Sequence, residues 1–482
     1  MTTTFVSRDA FYIDGQWQPP SSDRRFHLLN ASTEEPIASV PEGLHADIDR
    51  AVAAARHAFD RSEWRHLSPA DRAQLLFRFA DEFHKRASSA AEAVSAQNGM
   101  PIALSQNFEG VFPAAVMSYY AQLASSLGTE ESRPSQMGRE TIVSRSALGV
   151  VAAIIPWNFP VAIAVSKLAP ALAAGCTVVV KPSPGTALDS YVLAEAAHAA
   201  GIPPGVINWV PADREVAAYL VSHPAIDKVA FTGSTAAGRM IAKACGELLR
   251  PVTLELGGKS AAIILDDADL DAVMRGLPMV SMFNNGQTCY SCSRVLAPRS
   301  RYRETIDAMA ASFGSLAVGD ALDPQTQIGP LASASHRDRV LGYIDKGKSE
   351  GRLVLGGGRP GQLSKGWFVE PTIFADVGND AVISREEIFG PVLSVIPYTS
   401  EEEAIQLAND SPYGLGGSVW SVDEARARAV ARQVSSGTIG INGYIPSIGS
   451  PFGGIKSSGL GNELGPEALD SYLRFKSTYI MG

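Results

Sequence analysis

The sequence predicts an α/β fold made of two parallel sheets with helices packed on them. From Leu148 onward, apolar, β-branched runs punctuated by Gly and Pro alternate with Ala-rich helical stretches, as parallel strands joined by crossover helices require. The same alternation resumes after the segment LELGGKS at 254–260, and the residues before position 129 are rich in amphipathic helix. We therefore expect a doubly wound, Rossmann-like sheet and a second α/β domain, with the boundary near Gly257 to Lys259.

Each expected element has a local signal. The segment FYIDGQW at 11–17 has a β-like pattern, and the amphipathic runs at 46–61 and 71–97 predict helices. The polar stretch 129–147 predicts an arm or a hairpin. Strands of the first sheet are expected within 148–158, 176–183, 206–211 and 228–233, and strands of the second within 261–270, 368–374, 390–398 and 437–443.

The composition limits the kind of partner. The chain has 482 residues, 45% of them hydrophobic and 19% charged, and a formal net charge of −9. Nucleic acid and anionic membranes need a basic surface, which this acidic chain does not offer, so a small molecule is the expected partner. No segment resembles a membrane span or a signal peptide. Four cysteines are too few for a disulfide scaffold, and a cytoplasmic location is expected.

One strand-to-helix junction is a candidate phosphate site. In KVAFTGSTAAGRM we expect the strand to end at Phe231, the turn to run from Gly233 to Gly238, and a helix to follow. The glycines would let the backbone approach a diphosphate at the helix N-terminus, although a tight turn that only closes a βα unit explains them equally well. Lys181, which ends the run TVVVK, has either a ligand or water beside it.

Three polar residues are candidates for catalysis. Cys289 follows the small, turn-forming sequence GQT, although most single cysteines are inert core residues. Glu255 lies in the apolar run VTLEL and needs either a function or a structural ion pair. Asn158 stands between Trp157 and Phe159, and its commonest use there is a hydrogen bond within a turn.

Taken together and in this order, PWNFP, LELGGK, FNNGQTC and EEIFGPV resemble the aldehyde dehydrogenase superfamily. The segments KPS, FTGST and SPFGGIKSSGLGNELG match as well, so the resemblance extends from about Phe11 to the C-terminus. It implies NAD(P)-dependent oxidation of an aldehyde to a carboxylic acid, through a thiohemiacetal and a thioester and without a metal. It also implies a dinucleotide-binding domain from 1–128 and 148–257, a catalytic domain from 258–457, and a β oligomerisation arm and tail from 129–147 and 458–482.

The resemblance implies roles for individual residues. Cys289 is the nucleophile, Asn158 and the backbone N–H of Cys289 form the oxyanion hole, and Glu255 is the general base. Lys167 and Glu463 match a charged pair that relays protons from Glu255 to solvent. The implied cofactor residues are Ile154, Pro156, Trp157, Lys181, Ser183, Gly233, Ser234, Glu387 and Phe389. The implied substrate residues are Phe159, Ile163, Ser166, Phe283, Tyr290, Tyr444 and Phe452.

Two positions depart from the family pattern. Many NAD-preferring relatives have an acidic residue where this chain has Pro184. Without that carboxylate a 2′-phosphate meets no repulsion, so NAD is expected and NADP stays open. Asn462 stands where a basic residue often precedes the glutamate of the relay, which leaves the relay less well supported.

The substrate and the assembly are expectations of a coarser kind. No arginine stands at the substrate positions to pair with a carboxylate, so an apolar or aromatic aldehyde is favoured over a semialdehyde acid, although any one of the aromatic residues could simply be core. The resemblance implies a homodimer or homotetramer, in which the arm and tail add strands across subunits. The alternatives are a semialdehyde dehydrogenase, a thiol hydrolase or acyltransferase without redox chemistry, and a non-catalytic relative.

Overall fold

The computed structural model describes residues 5–481, and its N-terminal part is mostly helical. The segment FYIDGQW is a β hairpin whose turn residues, Asp14 and Gly15, have φ values of 55° and 71°, as a two-residue hairpin turn requires. Residues 106–111 form a π-helical turn between two α-helices. The elements are β1 (Phe11–Ile13), β2 (Gln16–Gln18), β3 (Arg25–Leu29), β4 (Pro36–Pro41), α1 (His45–Arg61), α2 (Pro69–His84), α3 (Ala87–Asn98), α4 (Ile102–Ser105) and α5 (Phe112–Ser125).

The middle of the chain alternates strand and helix as predicted. Its elements are β5 (Glu130–Pro134), β6 (Glu140–Ala147), β7 (Val150–Ile154), α6 (Pro160–Ala174), β8 (Thr177–Lys181), α7 (Leu188–Ala199), β9 (Ile207–Trp209), α8 (Arg214–Ser222), β10 (Lys228–Thr232), α9 (Thr235–Glu247) and β11 (Val252–Glu255).

The remainder of the chain contains a second alternating series. Its elements are β12 (Ala261–Ile264), α10 (Leu270–Ser281), β13 (Arg294–Pro298), α11 (Tyr302–Gly314), α12 (Ala334–Glu350), β14 (Arg352–Leu355), β15 (Thr372–Ala375), α13 (Val382–Arg385), β16 (Val392–Tyr398), α14 (Glu401–Asn409), β17 (Gly417–Trp420), α15 (Glu424–Ala431), β18 (Gly440–Ile441), β19 (Gly459–Leu460), α16 (Gly465–Asp470) and β20 (Leu473–Ile480).

Two large sheets confirm the predicted α/β class. The first has the order β19-β11-β10-β7-β8-β9-β1-β2, and the second has the order β14-β15-β16-β13-β12-β17-β18. Strands β11, β10, β7, β8 and β9 are mutually parallel, and so are β15, β16, β13, β12, β17 and β18. Strands β13, β14, β17 and β19 of these two sheets were not predicted from the sequence.

Each sheet is buried on both faces, which explains its continuous apolar runs. In β7, Val151 and Ala153 pack toward α2, α5, α6 and α7, whereas Val150, Ala152 and Ile154 pack toward α1, α8 and α9. In β12 the same alternation divides the second domain's core between α10 and α11 on one side and α14 and α15 on the other. No helix within residues 5–481 is long and apolar enough to cross a bilayer.

The segment 129–147 forms a hairpin, which is one of the two structures predicted for it. Strands β5 and β6 pair with β20 in a three-stranded antiparallel sheet, and β20 runs along β6 from Leu473 opposite Ala147 to Ile480 opposite Glu140. The tail therefore adds its strand to the arm of its own chain. Residues 459–460, which the predicted boundaries placed in the tail, instead extend the first sheet antiparallel to β11.

One predicted turn is shorter than expected. Strand β10 ends at Thr232 rather than Phe231, and α9 begins at Thr235, so Gly238 lies inside the helix and not in the turn. A Cβ at Gly238 would lie 2.5 Å from the Leu256 side chain. This glycine therefore serves close packing of α9 against the chain that follows β11, and the turn itself consists of Gly233 and Ser234.

Candidate active site

A cavity of about 110 Å³ brings together three of the predicted catalytic residues, Glu255, Cys289 and Glu463. Strands β10 and β11 end beside it with Thr232 and Glu255. No lysine or arginine is among its lining residues in the described part of the chain. The lining residues are Phe108, Phe112, Phe159, Ala162, Ile163, Ser166, Thr232, Glu255, Cys289, Tyr290, Pro446, Phe452, Glu463 and Leu464.

The loop before Cys289 is held in an unusual backbone conformation. Asn284, Asn285 and Gly286 have φ values of 50°, 60° and 76°, a left-handed run that only Gly and Asn adopt readily. The side chain of Asn285 is fully buried, and its Nδ2 donates to the carbonyls of Gly99 (2.8 Å) and Pro330 (2.9 Å), while its Oδ1 accepts from the N–H of Gly329 (2.7 Å). These bonds fix the loop that presents Cys289.

Asn158 lies against the same loop. Its Nδ2 donates to the carbonyl of Gln287 at 3.0 Å, and its own carbonyl accepts from the Nδ2 of Asn284 (2.9 Å) and of Asn98 (3.0 Å). A primary amide has a second N–H, which leaves one donor of Asn158 for a ligand. Sequence reasoning missed Asn98, whose role depends on a contact between distant segments.

Glu255 is a buried acid without a hydrogen-bond partner. It is 2% exposed, and neither carboxyl oxygen is bonded within residues 5–481. Burial, followed by the nearby Glu463 carboxylate, raises the pKa of Glu255 well above its usual value, and the ammonium of Lys167 lowers it. Lys167 is fully buried, donates to Thr232 Oγ1 at 2.7 Å and forms an ion pair with Glu463. The predicted charged pair therefore exists and lies next to the predicted base.

Cys289 differs from the other cysteines in its access to the cavity. It is partly exposed, whereas Cys176, Cys245 and Cys292 are buried, and all four are free thiols. Burial raises the pKa of the Cys289 thiol, and the carboxylates of Glu387 and Glu255 raise it further. The thiol therefore needs a base or a nearby positive charge before it can attack. Burial also raises the pKa of Cys292 to about 12, as expected of an inert core thiol.

The predicted phosphate turn lies at the carboxyl edge of the first sheet. Gly233 donates its N–H to the carbonyl of Glu255 at 3.0 Å, and Ser234 is the N-cap of α9. Ile154 and Phe231 line a cleft of about 610 Å³ between α8 and α9. Pro156 lies in the turn after β7 and is partly exposed.

A second cleft, of about 430 Å³, is lined by Trp157 and Ser183, two of the predicted cofactor residues. The ring of Trp157 packs edge-on against His336 at 5.2 Å and against Phe389 at 5.4 Å between ring centroids. His336 Nε2 donates to the carbonyl of Phe389 at 2.7 Å, and burial lowers the pKa of His336 to about 4. Phe389 has a φ of 64°, so this bond helps to hold a strained residue. Sequence reasoning missed His336, which no local pattern distinguishes.

Glu387, a predicted cofactor residue, also lies close to the predicted nucleophile Cys289. Its Oε1 accepts from the N–H of Gly258 at 3.1 Å, and a Cβ on Gly257 would lie 2.3 Å from its Oε2, so a glycine is needed at position 257 to admit it. Burial raises the pKa of Glu387 to about 7. Arg339, which sequence reasoning also missed, donates to the carbonyls of Glu387 (2.7 Å) and Ile388 (2.6 Å).

The predicted substrate residues fall into two groups. Phe159, Ile163, Ser166, Tyr290 and Phe452 line the cavity, whereas Phe283 and Tyr444 lie behind its wall. Phe283 stacks on Phe159 at 5.8 Å, and Tyr444 packs edge-on against Tyr290 at 5.0 Å. The prediction missed Phe108, Phe112, Ala162, Thr232, Pro446 and Leu464.

The residues at the carboxyl edge fit a dinucleotide. Lys181 is 7% exposed, and its side-chain ammonium makes no hydrogen bond or ion pair within residues 5–481. Burial lowers its pKa to about 8, while Asp213 raises it. A buried ammonium without a partner at the end of a parallel strand is suited to a polar ligand. No group of three or more metal-ligating side chains occurs in the described part of the chain.

Comparison with known proteins gives consistent matches. A model described as the aldehyde dehydrogenase family matches residues 17–478. Geranial dehydrogenase of Castellaniella defragrans is 59% identical over 477 residues, which cover 99% of this chain and 100% of that protein. Chloroplastic betaine aldehyde dehydrogenase of Beta vulgaris is 38% identical over 489 residues, which cover 99% of this chain and 97% of that protein.

Solved structures match equally well. An aldehyde dehydrogenase of Mycobacterium tuberculosis complexed with NAD+ has a TM-score of 0.96 and 44% identity, with 98% of each chain covered. A mutant of aldehyde dehydrogenase C from Pseudomonas syringae, complexed with NAD+ and octanal, has a TM-score of 0.94 and 38% identity, with 98% of this chain and 97% of that chain covered.

Proposed function

The chain belongs to the aldehyde dehydrogenase family, and from this premise we propose that it oxidises an apolar aldehyde to the carboxylic acid with NAD, using Cys289 as the nucleophile. The observation that carries the proposal is the cavity in which Cys289 and Glu255 face an otherwise mainly apolar, aromatic lining. The rest of the mechanism follows from the residues around that cavity.

The Cys289 thiol first loses its proton to water, which the positive charge of bound NAD would favour, and the resulting thiolate attacks the aldehyde carbon to form a thiohemiacetal. The free N–H of Asn158 and the backbone N–H of Cys289 stabilise the alkoxide; in other enzymes such a donor contributes about 3 to 4 kcal/mol. Bound NAD would supply the acceptor for the hydride that leaves this carbon. What remains on Cys289 is a thioester, and Glu255 takes a proton from the water that hydrolyses it. Lys167 and Glu463, paired beside Glu255, pass that proton toward solvent.

The residues at the carboxyl edge of the first sheet hold the cofactor in this proposal. Lys181 and Glu387 take the two riboses, Ser234 and the N-terminus of α9 take the diphosphate, and Phe389 supports the nicotinamide. The proposal also keeps the domain division predicted from the sequence, with a dinucleotide-binding domain at 1–128 and 148–257 and a catalytic domain at 258–457. Pro184, which stands where many NAD-preferring relatives have an acidic residue, begins the turn that follows Lys181. Because no carboxylate would repel a 2′-phosphate there, NADP is tested beside NAD.

The substrate class follows from the cavity lining and from the relatives. A substrate carboxylate or ammonium would need a partner of opposite charge. No cation lines the described cavity, and its acids, Glu255 and Glu463, are assigned to proton transfer. The geranial dehydrogenase at 59% identity supports an aldehyde of comparable apolar character.

Steady-state kinetics test the proposal. Geranial, octanal, benzaldehyde, succinic semialdehyde and betaine aldehyde are assayed with NAD and with NADP by the absorbance of the reduced cofactor. The proposal expects the highest kcat/KM among the first three, and preference for succinic semialdehyde refutes it. Cys289→Ala must abolish reduction while the matched control Cys292→Ala retains it. Thioester hydrolysis as fast as NAD reduction, without any NAD, would instead favour a thiol hydrolase.

A homodimer or homotetramer and a cytoplasmic location belong to the same proposal. Strand β5 is exposed along its length, and Phe475 and Tyr479 of β20 are 58% and 68% exposed, a pattern that commonly receives a partner. Four free cysteines suit a reducing compartment. Light scattering of the parent and of Phe475→Ser tests the assembly, and a monomeric parent would contradict it.

A further inference from the structure

The first turn of α6 lacks a cap of its own. Its N-cap is Phe159, whose ring lines the cavity and cannot accept a hydrogen bond. Pro160 follows and has no N–H, so the N–H groups of Val161 and Ala162 are the ones left without an intrahelical acceptor. Ile163 already donates to the carbonyl of Phe159 at 3.0 Å. Because all of these residues are buried or nearly so, water cannot easily satisfy the two groups.

A side chain from another element supplies the missing acceptor. Glu109 is fully buried, and its Oε2 accepts from the N–H of Val161 at 2.8 Å and from that of Ala162 at 3.4 Å. Its Oε1 is not bonded within the described residues. Glu109 thus replaces the capping side chain that Phe159 cannot provide.

The position of Glu109 links two walls of the cavity. It lies in the π-helical turn 106–111, next to Phe108 and near Phe112, which line one wall. Helix α6 and Phe159 form the other wall. Phe283 joins the same walls from behind, because it packs edge-on against Phe108 at 4.8 Å and stacks on Phe159 at 5.8 Å. π-Helical turns of this kind are frequent at functional sites.

We propose that Glu109 is a positioning residue that sets the width of the cavity by holding the start of α6 against the π-helical turn. It thereby determines the kcat/KM for a long aldehyde. The inference rests on the proposed function of the cavity. Asn158 is held separately by Asn98 and Asn284, so the donor to the alkoxide stays in place when Glu109 is removed. The effect therefore falls on the parts of an aldehyde that touch Phe159 and Ile163.

The test compares a long and a short aldehyde. With NAD at saturation, Glu109→Ala is expected to lower kcat/KM for octanal about tenfold and for propanal less than about threefold, the loss for octanal appearing mainly in KM. Glu109→Gln keeps an acceptor of the same length and should restore the parental octanal-to-propanal ratio. Active-site titration of Cys289 corrects each rate for the fraction of folded protein.

Two further variants keep the test decisive. Asp47→Asn removes another buried acid, which bonds the start of α1 outside the cavity lining, and should leave the ratio unchanged. If Glu109→Ala does not fold, Glu109→Asp, whose carboxyl is one methylene too short, should lower the ratio severalfold. Equal losses for both aldehydes, failure of Glu109→Gln to keep the parental ratio, or a like change in Asp47→Asn overturns the inference. A parent that oxidises neither aldehyde overturns the proposed function instead.

Discussion

Replacing Asn285 by alanine is the sharpest test of how the nucleophile loop is held. The substitution removes three hydrogen bonds of 2.7 to 2.9 Å and leaves two carbonyls and one N–H in a buried region without a partner. Each orphaned group costs about 1 to 3 kcal/mol, and an alanine at a φ of 60° adds about 1 kcal/mol. Allowing for relaxation, we expect the free energy of unfolding to fall by about 3 to 5 kcal/mol.

Urea unfolding followed by fluorescence measures this loss, and the rate of Cys289 alkylation by iodoacetamide reports the loop directly. Asn409→Ala is the matched control, because Asn409 also bonds two backbone groups, at 2.8 and 2.6 Å, but where water can replace it. It should lose less than about 1 kcal/mol. If Asn285→Ala unfolds within 1 kcal/mol of the parent, or if both variants lose equally, the hydrogen bonds do not hold the loop as described.

Three further predictions concern the site. Glu255→Gln should leave a burst of reduced cofactor, because the thioester still forms, but lower the steady-state rate about 10²- to 10⁴-fold. Loss of the burst would show that Glu255 acts before the thioester forms. Glu463→Gln removes the anion that raises the pKa of Glu255 and leaves Lys167, which lowers it. The pKa of Glu255 should therefore fall, and the acid limb of the kcat–pH profile should move to lower pH; a shift to higher pH would contradict this sign. Lys181→Ala removes no internal hydrogen bond, so the melting temperature should hold while the Kd for NADH, from fluorescence titration, rises about tenfold; an unchanged Kd would exclude Lys181 from the cofactor site.

The strands that sequence patterns identified were those whose burial is visible locally. Strand β7 is a continuous apolar run and β8 contains the run VVV before its terminal Lys181, whereas β13 begins with Arg294. That guanidinium is 2% exposed and donates to Asn379 and to the carbonyls of Lys259, Leu407 and Ala408. A charged residue can be buried in a strand when distant segments supply enough acceptors, and no local window of sequence contains them.

The site was predicted where a family motif marks it and missed where only tertiary contact does. The structure brings Cys289, Glu255 and Asn158 to one region, as expected from their motifs. Phe108 was not found because the π-helical turn around it departs from the 3.6-residue period by which helix faces are recognised. Asn98 was not found because its amide acts on a carbonyl that lies far from it in sequence.

The return of the chain to the first sheet has a consequence for biosynthesis. Strand β19 and the bridge between Phe452 and Glu463 close the cleft with residues that are translated long after Cys289. A nascent chain on the ribosome can complete the strands β7 to β11 early, but its thiol stays without the finished pocket until residue 463 has emerged. The catalytic pocket is therefore completed only at the end of synthesis, and a product terminated before residue 452 would lack part of its lining.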